Sequence, residues 1–390
     1  MEFDLTEDEI AFREEVRAFL HRELTPEVFA AHRDQSEQGM WTAEFTKEFR
    51  RKLGAAGYIG MGWPQEYGGG GRSRIYQAIL WDEMEYHRAP GIDRSVTYVP
   101  NAVMAFGSDA QRAEFLPRMS RGELSFFVGY SEPEAGSDLA NLKTRAVEDG
   151  EDFVITGQKA FSSDAHMADY GWVATRTDPT GPKHRGITMF IVDMKSPGVT
   201  ISRHPTLAGW THHAVNFDNV RVPKSMMVGA LNEGWKVVMG AIDFERAALA
   251  SPGLVTYQLD RLLAWCAQDR AFGPLLDDPV VLDELVRLAI EAEAVRLMSY
   301  WIASLHARGL RPQHQTSLAL LAKRETARQF DVAGMDMLGA LAPLRTGSPH
   351  APLGGEVEIE YRDHLYFQFA AGGFDITRNV VATRGLDLPR

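Results

Sequence analysis

The period of the hydrophobic pattern changes twice along this 390-residue chain, and this limits the folds open to it. From about residue 6 to 124, apolar residues recur at three- and four-residue spacing, as on the buried face of a helix. The spacing then becomes two, as in half-buried strands, until the helical spacing returns. We therefore expect an α+β multidomain fold: a helical domain over 1–123, a β-barrel or sandwich over 124–232, and a helical bundle over 233–390.

Local signals place several of the elements. Thr6 precedes an acidic turn in which Glu9 completes a capping box, and Asp149-Gly150 is typical of a β-hairpin turn. We expect strands near 152–161, 171–176, 186–193, 199–203 and 213–222. We expect the later helices over 234–267, 279–307, 313–341 and 360–369 and from 374 onward.

The composition limits the classes of partner that this chain is expected to bind. The chain carries 41 basic and 53 acidic residues, a net charge of −12, which argues against binding nucleic acid or an anionic membrane surface. No apolar run approaches a membrane span, and the acidic start is unlike a signal peptide, so no membrane insertion is expected.

The single cysteine, Cys266, excludes an intramolecular disulfide and favours a reducing, cytoplasmic location. We expect Cys266 to be a buried structural residue. The histidines show no metal-ligand spacing, and His212-His213 are expected in a loop entering a strand.

A polar loop follows a short apolar run, Phe126 to Val128, that we also expect to be a strand. The apolar run Phe126 to Val128 leads to Tyr130, after which serines, a proline, a glycine and Asp138 supply hydroxyl groups, turn chemistry and exposed backbone N–H groups. Such groups suit a carbonyl-rich ring or a phosphate. We therefore expect this loop to bind a ligand.

Four segments resemble those of one family. SEPEAGSDLANLKT (131–144) is similar to the signature loop of the acyl-CoA dehydrogenase flavoproteins, and three further segments follow in the family's order. These are GQKAFSS (157–163), FDNVRVPKSMMVG (217–229) and RNVVATRG (378–385). The resemblance covers essentially the whole chain. It implies an N-terminal helical domain, a middle β-barrel, a C-terminal four-helix bundle, and noncovalent FAD.

The resemblance also implies partners and a first set of cofactor contacts. An acyl-CoA or acyl-carrier thioester is the expected substrate, an electron-transfer flavoprotein the expected acceptor, and a homotetramer or a heterotetramer with a homologous chain the expected assembly. By position, Tyr130 and Ser131 flank the isoalloxazine ring, with Ser131 replacing the usual threonine. Gly136 and Ser137 lie near the cofactor pyrophosphate or the substrate.

The remaining cofactor contacts come from later segments. Phe161 stands where the family commonly has tryptophan, and Ser163 where it has threonine near the reactive ring nitrogen. Arg270 and Phe272 match a motif that reaches the flavin of a neighbouring subunit, although Arg270 is one position closer to the phenylalanine than usual. Gly373, before the closing helix, is also expected to contact the cofactor.

The catalytic base of most relatives is missing. Dehydrogenation needs a carboxylate that removes the α-proton while a hydride leaves the β-carbon for the flavin. Most relatives place this glutamate before the final helix, where this chain has Ala371, and alanine cannot accept a proton. A minority, including isovaleryl, long-chain and bacterial steroid side-chain dehydrogenases, carry it on the first bundle helix before an arginine, as in Glu245-Arg246. The resemblance therefore makes Glu245 the base.

Helical spacing supports this assignment. Glu245 has apolar residues three and four positions away on both sides, so no local cation pairs with it. An ion pair across an interface remains an alternative role for Glu245, and Asp375 an alternative base. The small residues around Ala371 favour a branched, long or ring-bearing acyl group. The alternative functions are a flavin-dependent monooxygenase on the same fold and a non-catalytic subunit of a heteromeric dehydrogenase.

Overall fold

The computed structural model describes residues 4–34, 40–269, 273–310, 312, 314–370 and 372–389; for residues 33, 34, 40 and 242–247 it describes the backbone alone. Helices come first, strands of one large sheet follow, and helices return. The predicted α+β fold class, with a helical, a β-sheet and a second helical domain in that order, is therefore confirmed.

The N-terminal part is helical, as expected. Its helices are α1 (Glu7–Glu23), α2 (Pro26–His32), α3 (Ala43–Ala55), α4 (Arg74–Tyr86), α5 (Arg94–Thr97), α6 (Val99–Phe106) and α7 (Asp109–Ser120). Two short strands, β1 (Arg33–Asp34) and β2 (Met40–Trp41), pair antiparallel. The predicted capping box is confirmed: the Glu9 N–H donates to Oγ1 of Thr6 over 3.3 Å, and the Thr6 N–H donates to the Glu9 carboxylate over 2.8 Å.

The middle part is built on one eight-stranded sheet. Its strands are β3 (Phe126–Gly129), β4 (Arg145–Asp149), β5 (Asp152–Lys159), β6 (Tyr170–Arg176), β7 (Ile187–Asp193), β8 (Val199–Pro205), β9 (Thr211–Pro223) and β10 (Met227–Val228). They pair in the order β10-β7-β6-β4-β5-β9-β8, and β3 pairs with β6. The predicted hairpin is confirmed, because Asp149 pairs with Asp152 and Gly150 takes a positive φ of 64°.

Two expectations about this region and the next are wrong. His212 and His213 lie inside β9, because that strand starts at Thr211. From there it pairs with β8 over the whole length of β8. The single helix expected over 234–267 is two helices, because Pro252 follows the end of the first and lacks the N–H that an uninterrupted helix needs.

The C-terminal part is helical, as expected. Its helices are α8 (Gly234–Leu249), α9 (Gly253–Cys266), α10 (Pro279–Ala307), α11 (His314–Leu338), α12 (Glu356–Asp363) and α13 (Phe374–Gly385). Cys266 is buried, as expected. Helix α8 packs against α6, α11 and β7, so it contacts all three parts of the chain.

A tight helical turn leads back from α12 toward the sheet. The helix expected over 360–369 starts earlier, at Glu356, and after Asp363 it tightens into a 3₁₀ turn over His364–Gln368. The turn is held by buried His364, whose Nδ1 lies 2.6 Å from Oδ2 of Asp331 on α11. This contact carries Tyr366 toward the sheet.

Substitution of Gly157 tests how tightly the sheet is packed around β5. It sits at a register shift in β5 with φ +153°, and a Cβ there would lie 2.6 Å from Cα of Thr144. We expect Gly157→Ala to destabilise the protein by about 1–3 kcal/mol, because backbone atoms must move to make room. Gly181→Ala is the matched control, since no heavy atom lies within 4 Å of its Cβ position. Urea unfolding measures both variants, and equal midpoints would contradict the prediction.

Candidate active site

Two loops that follow different strands lie side by side. One follows β3 and spans 130–137, and the other follows β5 and spans 160–164. The Ala160 N–H donates to the carbonyl of Ser131 over 2.8 Å, so the loops are joined by their backbones. The structure therefore brings together the two motifs that the sequence singled out.

A buried ion pair fastens the two loops from behind. The Nζ of Lys159 lies 2.7 Å from a carboxylate oxygen of Glu132 and donates to the carbonyl of Tyr130 over 3.1 Å. The Lys159 side chain is 0% exposed. The Glu132 carboxylate also accepts from the N–H groups of Lys143 (2.6 Å) and Thr144 (2.9 Å). One carboxylate thus gathers three donors from two segments.

Burial and the attraction between the two charges shift the pKa values of both members of this pair. Burial lowers the pKa of the Lys159 ammonium to about 8, although Glu132 opposes the shift. Burial raises the pKa of the Glu132 carboxyl, but the Lys159 charge and the hydrogen bonds outweigh it and lower the pKa overall. The carboxylate is therefore ionised at neutral pH. Sequence reasoning did not single out either residue, although both lie within the quoted motifs.

In the first loop, Tyr130 points toward the N-terminal helices. Its hydroxyl is hydrogen-bonded to the hydroxyl of Tyr98 and accepts from Nε1 of Trp172 over 3.1 Å. Farther along, Gly136 and Ser137 are exposed, and no heavy atom lies within 4 Å of the position of a Cβ at Gly136. That backbone is open to the approach of a ligand.

In the second loop, an aromatic ring is presented to the outside. Phe161 is 68% exposed and has φ +52°, a backbone conformation that residues other than glycine seldom adopt. Strained backbone of this kind clusters at ligand sites. The hydroxyl of Ser163 lies 3.1 Å from Nδ1 of His212. His212 is a site residue that the sequence analysis missed.

The helical parts contribute side chains from the other side. The ring of Tyr366 lies 6.3 Å from that of His212 and 5.9 Å from that of Trp210. From α5, Nη1 of Arg94 lies 3.4 Å from Oδ2 of Asp164. The second loop is therefore approached by both helical domains.

The remaining residues that the sequence predicted for the site lie at the start of α13 or outside the described residues. Gly373 precedes α13, where a Cβ would lie 2.4 Å from the carbonyl oxygen of Gln368; within the described residues, it makes no hydrogen bond to either loop. Asp375 is exposed in the first turn of α13. Arg270, Phe272 and Ala371 lie outside the described residues.

Glu245 lies in the fourth turn of α8, but its side chain belongs to the stretch described by its backbone alone. In the part of the chain that the structure covers, no three histidine, cysteine, aspartate or glutamate side chains form a group that could hold a metal ion. Nor is any helix among the described ranges long and apolar enough to cross a membrane.

Comparison with known proteins decides the family. The N-terminal, middle and C-terminal domains of acyl-CoA dehydrogenases match residues 6–123, 128–220 and 232–386. The chain is 36% identical over 400 aligned residues to acyl-CoA dehydrogenase FadE26 of Mycobacterium tuberculosis, covering 100% of this chain and 99% of the relative. The chain belongs to the acyl-CoA dehydrogenase family. It is accordingly an FAD-dependent flavoprotein oxidoreductase that acts on CH–CH groups.

Solved structures of relatives superimpose along the whole chain. The steroid ACAD Tcur3481-Tcur3483 matches with a TM-score of 0.92 and 35% identity, covering 100% of both chains. The ChsE4-ChsE5 complex of Mycobacterium tuberculosis matches with a TM-score of 0.92 and 36% identity, again over 100% of both chains. Both are described as assemblies of two differently named proteins.

The two loops fit the chemistry of FAD. The exposed ring of Phe161 offers an apolar surface for a flat ring system, and the hydroxyl groups of Ser131 and Ser163 offer hydrogen bonds to its heteroatoms. The open backbone at Gly136 allows a phosphate to come close. These groups suit a noncovalent cofactor held by dispersed contacts.

Lys159→Met tests whether the ion pair holds the loops. The substitution leaves the Glu132 carboxylate buried without its cation, so we expect a loss of about 3–5 kcal/mol in the free energy of unfolding and loss of bound flavin. The double variant Glu132→Gln/Lys159→Met should regain much of the stability, because no buried charge then remains unpaired. Lys143→Met is the matched control: Lys143 pairs with Glu134 on the exposed side of the same loop and should matter little. Urea unfolding and flavin absorbance measure these effects, and a flavin-loaded Lys159→Met protein of normal stability would contradict them.

Proposed function

We propose that this chain catalyses α,β-dehydrogenation of an acyl thioester, giving the 2-enoyl thioester, with Glu245 as the base and FAD in the two loops. The observation that carries the proposal is the backbone hydrogen bond that joins loops 130–137 and 160–164, the two segments in which the family resemblance places flavin contacts. Helix α8, which carries Glu245, packs against β7 of that sheet.

The position of Glu245 on α8 supports its role as the base. One turn earlier Ala241 is buried, three residues later Ala248 is half-buried, and four residues later Leu249 is 38% exposed. A carboxylate among apolar neighbours carries a desolvation cost, which surface glutamates avoid and catalytic bases exploit to raise their basicity. With Ala371 at the usual position of the base, Glu245 supplies the carboxylate that the reaction requires.

The chemistry divides between the protein and the cofactor. Bound FAD supplies the acceptor for the hydride that leaves the β-carbon. Glu245 takes the α-proton, which the thioester carbonyl acidifies, onto a carboxylate oxygen.

The proposed substrate is a thioester with a branched, long or ring-bearing acyl group. Loss of the loop glutamate leaves only small residues before α13, at Ala371, Gly372 and Gly373. Relatives at 35–36% identity include a structure described as a steroid ACAD. A fused-ring acyl group is therefore the first class to test.

The proposed partner is a second, homologous chain. Both structural relatives are described as pairs of different proteins. On α10, Leu282, Val286 and Ile290 are spaced by four residues and are 46%, 50% and 65% exposed, so they form an apolar stripe on the surface of one chain. We define these three residues as the α10 stripe and propose that the homologous chain covers it. An electron-transfer flavoprotein is the proposed acceptor, as in the resembling family.

Glu245→Gln tests the base. We expect flavin reduction by substrate to slow by about 10²- to 10⁴-fold while FAD and thioester still bind, because glutamine keeps the size of the side chain but cannot take the proton. Anaerobic single-turnover bleaching of the flavin measures this rate. Asp375→Asn is the control and should bleach at the wild-type rate. The assignment of Glu245 is wrong if Asp375→Asn slows flavin bleaching and Glu245→Gln bleaches at the wild-type rate.

A panel of acyl-CoA thioesters tests the substrate class. We expect kcat/KM to be higher with fused-ring, branched or long acyl groups than with butyryl-CoA, since the small residues before α13 leave room for a bulky group. Steady-state rates with an artificial electron acceptor provide the comparison. A maximum at butyryl-CoA would show that the class is wrong.

Serine substitutions in the α10 stripe test the partner. We expect Leu282→Ser/Val286→Ser/Ile290→Ser to fold normally, because all three side chains are exposed, but to lose assembly with a co-expressed homologous chain. Val147→Ser, which removes an exposed aliphatic residue on β4, is the control. Light scattering after size-exclusion chromatography gives the mass of each complex. Undiminished assembly of the triple variant would place the interface elsewhere.

A further inference from the structure

We propose that His212 is a positioning residue that sets the direction of the Ser163 hydroxyl proton at the flavin side of the site. This inference rests on the proposed function, because it takes Ser163 to lie beside the reactive ring nitrogen of the flavin. It adds to that function a histidine that acts through a neighbouring hydroxyl group. His212 is therefore not a catalytic residue in its own right.

The geometry leaves the imidazole little freedom. His212 pairs with His204 in the β8–β9 ladder, which fixes its backbone. Its ring meets Phe161 edge-on, with ring centres 6.0 Å apart, and Tyr366 at 6.3 Å. Its Nδ1 lies 3.1 Å from Oγ of Ser163. The hydrogen bond therefore joins a ring of fixed orientation to the hydroxyl group that faces the proposed flavin.

His213, the next residue, has a different role. It is buried, its ring stacks on His166 with centres 4.6 Å apart, and its carbonyl accepts from the Ser162 N–H over 2.8 Å. The alternation of side chains along β9 places the two histidines on opposite faces. His213 thus supports the loop from inside, whereas His212 reaches its functional end.

The charges around His212 favour its neutral form. Burial and the nearby Arg94 guanidinium lower the pKa of His212, while Asp164 acts in the opposite direction. Arg94 and Asp164 are themselves paired, and Tyr366 from the C-terminal part also faces the imidazole. A neutral imidazole carries one N–H and one lone pair, and either can occupy Nδ1.

This choice of tautomer decides what Ser163 can offer. When Nδ1 carries the proton, it donates to Oγ, and the hydroxyl proton is free to point out of the loop as a donor. When Nδ1 carries the lone pair, it accepts the hydroxyl proton, and Oγ presents lone pairs outward. The reactive ring nitrogen of a flavin is an acceptor before hydride transfer and a donor afterwards, so one hydroxyl group can bond to both states only if its proton can turn.

Four variants separate this role from a merely structural one. His212→Leu removes the partner of Ser163, His212→Asn keeps a polar group near the position of Nδ1, and Ser163→Ala removes the hydroxyl itself. His204→Asn, an exposed neighbour on β8, is the matched control. Each is purified with its flavin and measured for flavin content, visible spectrum and two-electron reduction potential between about pH 5.5 and 9.

We expect His212→Leu and Ser163→Ala to shift the ratio of oxidised to reduced flavin at a fixed potential by about tenfold, ~30 mV for a two-electron couple. The double variant should add nothing to either, because both act through one hydrogen bond. His212→Asn should restore part of the shift, and His204→Asn should cause none.

Three results would overturn the inference: an unchanged potential in His212→Leu, additive shifts in the double variant, or an equal shift in His204→Asn. If His212→Leu fails to fold, the same reasoning applies to His212→Asn combined with Ser163→Ala, where additivity again overturns it. A wild-type protein that binds no FAD would instead contradict the proposed function itself, so the two failures are distinguishable.

Discussion

The ion pair between Glu132 and Lys159 is the interaction on which the site depends. Two loops that follow different strands must stay in contact although several of their residues are exposed, and exposed residues add little burial to hold a loop in place. The pair supplies an attachment that is itself buried, with Lys159 0% exposed and Glu132 accepting three donors. Because removal of either partner leaves a buried charge unpaired, the contact is difficult to lose by a single substitution.

Attachment of the loops lets three parts of the chain contribute to one site. Helix α8 packs against β7, Arg94 of α5 reaches Asp164, and Tyr366 of the 3₁₀ turn after α12 reaches His212. Each comes from an element anchored by its own packing, as the bond between His364 and Asp331 illustrates for the turn. Rigid elements position these groups better than loops alone can, which suits a reaction that must align a proton and a hydride acceptor on two adjacent carbons.

Much of the fold could be predicted from the sequence because its signals are local. Alternation along 152–161 predicts β5, and the capping box at Thr6 predicts the start of α1. The break at Pro252 was missed because the apolar spacing of α8 and α9 runs through it. His212 was missed for a different reason: its partner Ser163 is 49 residues away, and only the pairing of β5 with β9 aligns them. Contacts between distant segments leave no periodic signal in one sequence. The motifs resembling a family found the loops, but not the buried pair that joins them.

Hydrogen–deuterium exchange tests whether loops 130–137 and 160–164 hold FAD. Flavin-free and flavin-loaded protein are compared, each with the homologous partner present, so that assembly does not contribute to the difference. We expect slower amide exchange in both loops when FAD is bound, with the α10 stripe unchanged between the two samples. Protection confined to other segments, with exchange in both loops unaffected by FAD, would contradict it.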